Sequence, residues 1–358
     1  MTQTIAAIAA ATGLDAAGDT AVLVERPAEP AAAGPADLAL AMAPKYAEAL
    51  RAGRARAAVL WPGADWQALG LEAALFAPRA RRALAGITTH FAPPIDLDPG
   101  VHPTAVIAPD AVIGADAWIG PYAVVRPGAQ LGEGSRIGAH ASIGAGAVLG
   151  AGVILWPGVR IGHGCVLGDG VAVQANAVIG GDGFSYVTPE PGAVEAAKAT
   201  GRVDEEARNT AYLRIASLGR VVLGAGVEVG AGTCIDRGTI IDTTVGAGTK
   251  IDSLVMVGHN VRIGETCLVC GHVGLAGSCS VGDRTVLGGK VGVGDHLHIG
   301  ADCVLAGGTL VAQHIPDGSV MMGIPAKSRA EQMRELMALK RVPKLIEHMR
   351  EVRAKLGL

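Results

Sequence analysis

The chain has 358 residues, half of them apolar and only 18% charged, which excludes a disordered, self-repelling polymer. A formal net charge of −3 gives no general attraction for nucleic acid, and no apolar run reaches the ~18 residues of a membrane span. Glycine, at 52 residues without a G-x-y period, and aromatics at only 3% point to many tight turns around an aliphatic core.

The N-terminal stretch, with Arg26 its first basic residue, lacks the basic region of a signal peptide, so a cytoplasmic protein without a transmembrane segment is expected. Residues 1–95 read as a small α/β domain. Ala21–Val24 and Ala57–Leu60 have the composition of short strands, Tyr46–Arg51 and Trp66–Leu71 that of helices, and Pro93 and Pro94 mark a linker.

From Val101, every sixth residue is aliphatic: Ile107, Ile113, Ile119, Val125, and so on without a miss to Ile179. The register returns at Leu223, Val229, Ile235 and Ile241, slips by two, and runs from Val245 to Val311. Glycine commonly follows the aliphatic residue, as at Gly138, Gly144 and Gly264, and the fifth position is small or β-branched. A six-residue period of this kind is the hexapeptide repeat of a parallel β-helix, three hexapeptides making one coil of about 18 residues. A solenoid over 96–325 is therefore expected, interrupted by an extruded loop at about 183–218 that carries Pro189, Pro191 and the charged run Arg202, Asp204, Glu205, Glu206 and Arg208. Residues 326–358 read as a helical tail, with Pro343 dividing it into two helices; from Lys327 onward it holds nine Lys or Arg against four Glu.

Cys165, Cys267, Cys279 and Cys303 all occupy the fifth position of the repeat, so Cys267-x-x-Cys270 reads as core filling and no metal is expected. His259, His272, His296 and His298 have no shared ligand spacing. His259 stands on a turn, and Gly277 lies three hexapeptides later, one full coil along. A base beside an unhindered N–H suits acyl transfer, the one accepting a proton and the other facing an oxyanion. His296 is two coils and one position on from His259. Spacing alone leaves open that these are ordinary solvent-facing histidines.

The run from Gly226 through Ile235-Asp236-Arg237-Gly238-Thr239 and Asp252 to Gly258-His259-Asn260-Val261 resembles the UDP-3-O-acylglucosamine N-acyltransferase family. So do Val178–Phe184, Gly271–Ser278 and Gly323-Ile324-Pro325-Ala326, and the resemblance spans essentially the whole chain. It implies a left-handed parallel β-helix with a small N-terminal α/β domain that binds uridine and a C-terminal helical tail. It implies a homotrimer, without cofactor, that moves a 3-hydroxyacyl group from acyl carrier protein to the 2-amino group of UDP-3-O-(3-hydroxyacyl)-glucosamine in lipid A biosynthesis. On the same resemblance His259 is the general base, Asp252 the acid that orients it, Gly277 the oxyanion donor, and His296 a second active-site histidine. Tyr46, Lys45, Asp182, Phe184 and Asn260 are the substrate-binding residues. The family's Phe-x-x-Asn-Pro-Lys-Tyr is Leu40-Ala-Met-Ala43-Pro44-Lys45-Tyr46 here, and Ser185 and Ser253 also depart from its pattern. The competing readings are another hexapeptide acyltransferase, O-acylating a UDP-sugar or using coenzyme A, and a solenoid scaffold without catalysis.

Overall fold

A computed structural model describes residues 2–93, 99–203, 205–323 and 326–357. Pro94 with the expected 95–96 boundary, Asp204 of the charged run, and Ile324 and Pro325 lie outside the described residues. The chain divides into two compact units, Met1–Leu97 and Asp98–Leu358.

The first unit is a five-stranded sheet in the order Asp15–Gly18, Ala73–Phe76, Ala57–Leu60, Asp37–Ala41, Arg26–Ala28, antiparallel only at the Asp15–Gly18 edge. Side chains alternate across it. Leu38, Val59 and Leu75 face Ile5 and Ile8 of helix α1 (Ile5–Thr12) and Ile87 of α3 (Ala80–Phe91). Ala39, Ala58 and Leu60 face Leu50 of α2 (Ala47–Ala52) on the other side. The expected strand at Ala21–Val24 contracts to Leu23–Val24. The expected helix at Trp66–Leu71 is instead a series of turns, in which the Asp65 carboxylate accepts the Ala68 N–H at 3.0 Å and Gly70 turns left-handed at φ 77°.

The second unit is a parallel β-helix of three sheets with nine, eleven and ten strands among the described residues. The first face runs from Val112–Ile113 to His298–Ile299, the second from Gly100–Val101 to Val320–Met321, and the third from Val106–Ile107 to Leu310–Val311. Most strands are two residues long and pair with the strand one coil later, as in Ile113↔Leu131, Ile119↔Ile137 and Val125↔Ile143. The repeated aliphatics and the fifth-position residues, the four cysteines among them, form one continuous buried core. Glycine follows the aliphatic residue because coils approach closely there. A Cβ at Gly144 would stand 2.4 Å from the backbone nitrogen of His163. The left-handed conformation falls two residues later, on Gly146 in that turn and on Asn260, Ser278 and His296 in others.

The departures from the regular coil fall on the edge between the third and first faces. Leu167 pairs with Leu223, across the whole extruded loop; Leu223 pairs with Val245, a coil longer than the regular one; Ile299 bridges to Ile315, a coil slightly shorter. The first departure is the extruded loop, which has structure of its own: a hairpin of Tyr186–Val187 with Leu213–Arg214, and helix α4 (Ala193–Thr200). The second corrects the expected register, since Ile241 is exposed in an irregular turn rather than pointing into the core. The tail is a single helix α5 (Arg329–Leu356) that continues through Pro343. The carbonyl that Pro343 leaves without a donor is that of Leu339, an exposed residue, so water can reach it and the expected division does not occur. No helix among the described residues is long and apolar enough to cross a membrane.

Candidate active site

The irregular edge gathers the polar groups. The pairings Ile235↔Val257 and Val257↔Leu275 stack three successive turns there, placing Asp236 one coil before Gly258-His259 and Ala276-Gly277 one coil after. The imidazole of His259, half-buried, lies between two glycines. A Cβ at Gly183 would stand 2.7 Å from His259 Cβ, and a Cβ at Gly277 would stand 2.7 Å from both Cε1 and Nε2. Any side chain at either position would displace the ring.

The hydrogen bonds of the ring fix its tautomer. His259 Nδ1 lies 2.9 Å from Asn260 Oδ1, which also accepts the Thr239 N–H at 3.1 Å, while Asn260 Nδ2 donates to the Ile241 carbonyl at 3.0 Å. The amide is thereby oriented, and its oxygen can only accept. The proton therefore sits on Nδ1, and Nε2 presents a lone pair towards Gly277. The Gly277 N–H donates to no acceptor among the described residues. A ring nitrogen with a lone pair and an amide without a partner among the described residues thus lie side by side.

The carboxylate beside this ring is Asp236, not Asp252. Asp252 follows the second-face strand Lys250–Ile251 and stands on a different edge, where Oδ1 accepts the Ser253 N–H at 2.7 Å and Oδ2 the Gly271 N–H at 2.9 Å. The step from 252 to 259 is one hexapeptide plus one position, which moves the chain to the next edge of the triangle. Within the chain Asp252 therefore does not orient His259. Asp236 is buried, and burial pushes its carboxyl up to about 6, opposed by the nearby His259 and by the Phe184 backbone N–H.

The raised value has a sign that can be measured. Folded, Asp236 holds its proton more tightly than unfolded, so its contribution to stability is full below the usual carboxylate value and is lost as pH rises through about 6. Asp236→Asn, which mimics the protonated acid, should flatten the fall in Tm between pH 4 and pH 7 while lowering turnover. Parallel Tm profiles for the two proteins would overturn this account.

Of the other expected site residues, His296 lies on the same edge and is exposed, its N–H donating to the Gly277 carbonyl at 3.1 Å. Asp182 and Phe184 flank Gly183. Asp182 lies 3.9 Å from Arg214, and the exposed Phe184 ring meets Tyr186 edge-on at 5.1 Å. Lys198 of α4 reaches Asp295 at 3.5 Å, so the extruded loop leans along the edge past His259. Lys45 and Tyr46 belong to the first unit, where the Lys45 ammonium lies 4.9 Å from the centre of the half-buried Tyr46 ring. Sequence reasoning missed Gly183, Asp236 and the orienting role of Asn260.

On the third face, beside Ala276, Gly274 and Gly292 provide no side chains between Met256 and Leu310. The resulting apolar trough has a volume of about 430 Å³.

The six-residue repeat, the coil it builds and this histidine–glycine corner are features of a hexapeptide-repeat acyltransferase. Residues 110–145 and 146–181 match the family described as bacterial transferase hexapeptide (six repeats), and residues 279–313 match the hexapeptide repeat of succinyl-transferase. The solved structure of an Arabidopsis UDP-N-acetylglucosamine acyltransferase has a similar fold, with a TM-score of 0.53 at 22% identity over 63% of this chain and 71% of that one. A UDP-3-O-acylglucosamine N-acyltransferase of Ruegeria pomeroyi is 54% identical over 346 residues, 97% of this chain and 95% of its own. That of Paracoccus denitrificans is 55% identical over 278 residues, 78% of this chain and 76% of its own. The chain belongs to the UDP-3-O-acylglucosamine N-acyltransferase family.

Proposed function

We propose that this protein transfers a 3-hydroxyacyl group from acyl carrier protein to the 2-amino group of UDP-3-O-(3-hydroxyacyl)-glucosamine, in the cytoplasm, as a step of lipid A biosynthesis. The observation that carries the mechanism is the Nε2 lone pair of His259 facing Gly277. The sugar amine attacks the thioester carbonyl carbon and gives its proton to Nε2. The tetrahedral oxyanion is held by the Gly277 N–H. As the carbon–sulfur bond breaks, the imidazolium returns the proton to the departing thiolate. Ionised Asp236 steadies the imidazolium between these steps. Asp182, Phe184 and Asn260 border the nucleotide sugar, His296 contacts its phosphate or the pantetheine arm, and Tyr46 stacks on uracil beside Lys45. The acyl chain lies in the trough over Gly274 and Gly292, with Leu310 limiting its length.

The test offers purified protein both acyl-carrier-protein and coenzyme A thioesters, with amino- and hydroxy-sugar nucleotides. Turnover confined to the carrier-protein thioester and the amino sugar supports this reading. Turnover only with coenzyme A, or only on the hydroxyl, replaces it with the sister-enzyme reading.

We infer a homotrimer, a reading supported by exposed apolar side chains on the flanks, such as Leu268, Val304, Leu310 and Val320, and along α5, where Met333, Leu336, Leu345 and Met349 are all exposed. The basic excess of the tail suits an acidic carrier protein. Removing residues 328–358 should raise the KM for acyl carrier protein, most at low salt, in protein that sedimentation shows still trimeric. An unchanged KM in intact trimers rules out docking on the tail, and a monomer at micromolar concentration for the full chain rules out the trimer.

A further inference from the structure

Arg237 is the largest fully buried side chain, 1% exposed, and it has no acidic partner within salt-bridge distance among the described residues. A buried cation of this kind is costly unless its donors are all engaged. Here they gather three separate stretches of chain. Nε donates to the Gly180 carbonyl at 2.9 Å, Nη1 to the Gly219 carbonyl at 3.3 Å and to His163 Nε2, and Nη2 to the His163 carbonyl at 2.8 Å. Gly180 and Gly219 lie just outside the two ends of the extruded loop, and His163 belongs to the coil before it. The missing side chains at Gly162 and Gly180 admit the guanidinium: a Cβ at Gly162 would stand 2.8 Å from Nη2.

The clasp leads directly to the base. The Arg237 N–H donates to the Gly181 carbonyl at 2.8 Å, and two residues on, the Gly183 N–H donates to Ser217 Oγ at 3.0 Å, closing the neck of the loop. Gly183 is the residue whose α-carbon packs against His259.

We propose that Arg237, held by His163, is a positioning residue for acyl transfer: it fixes the neck of the extruded loop so that Gly183 confines the His259 ring. The inference rests on His259 being the base. Only a planar fork of donors gathers carbonyls from three segments at once; an apolar side chain of equal volume fills the space without tying the ends together.

The experiment measures kcat and KM for Arg237→Met, His163→Leu, His163→Gln and Gly183→Ala, with His259→Ala as reference. His163 is exposed, so its variants fold even where Arg237→Met does not. His163→Leu should lower kcat about ten- to hundredfold with little change in KM for the nucleotide sugar, the loss expected when a reacting group is misplaced by about an ångström. His163→Gln returns an acceptor at similar reach and should restore most of kcat. His163→Leu combined with Gly183→Ala should lose less than the product of the two single losses, because both act through the same spacing. Full kcat in His163→Leu, no rescue by Gln, or strictly multiplicative losses would overturn the proposal while leaving His259 as base. An active His259→Ala would instead remove the reading beneath it.

Discussion

His259→Ala should lower turnover by about 10²–10⁴, the usual loss on removing a general base. The sugar amine must give up a proton as its nitrogen is acylated, and Nε2 is the lone pair that Asn260 leaves exposed. Binding of the nucleotide sugar and assembly should barely change, because the side chain stands on a turn outside the aliphatic core. His296→Ala should cost less in turnover and more in substrate KM, since its ring lies one coil beyond Gly277 on the same edge. Single-turnover assays with binding titrations decide between them. If His259→Ala keeps more than a tenth of wild-type turnover, the base is another group.

Gly277→Ala should lower kcat by about a hundredfold for a purely steric reason. The backbone N–H remains, and position 277 is not left-handed, so alanine fits the chain itself. Its methyl would stand 2.7 Å from His259 Cε1 and Nε2, inside van der Waals contact, and would fill the space where the thioester must sit. The ring cannot retreat, because Gly183 backs its other side and Asn260 holds Nδ1. Tm should stay within a few degrees of wild type while activity collapses. An alanine variant with half the wild-type kcat would show that neither the ring nor the substrate approaches Gly277 as described.

Much of this geometry is legible in the sequence. Where coils keep their three hexapeptides, counting places side chains, and His259 to Gly277 is one such step. The aliphatic period and the fifth-position cysteines are legible for the same reason: every coil repeats one packing problem. Asp236 escapes such counting because the coil that separates it from His259 is lengthened by the irregular turn at Ile241. The signal is present in the ten residues from Ile235 to Val245, four more than a hexapeptide: read as an insertion that leaves Ile241 out of the register, it aligns Ile235 with Val257 and so Asp236 with Gly258. Asp252 matches by likeness to a motif, although its spacing of one hexapeptide plus one already puts it on another edge. Pro343 misleads because the cost of proline in a helix depends on whether water reaches the orphaned carbonyl, which sequence does not state.

The long step from Leu167 to Leu223 also bears on how the chain reaches its native state. Coils that pair with the next hexapeptide triplet assemble by local contacts, one rung after another, as stacked repeats do. Closing the longer step costs about 1 kcal/mol more in loop entropy than an ordinary rung, so the stack nucleates more readily on either side of it than across it. Residues 100–181 and 221–321 would then form as two blocks that zip together last at the seam. Hydrogen exchange should resolve two protection classes meeting there, and a single uniform class would contradict it. Gly183 and Asp236 lie at that seam and His259 one coil beyond, so the proposed catalytic corner is completed only once both halves of the β-helix are in place.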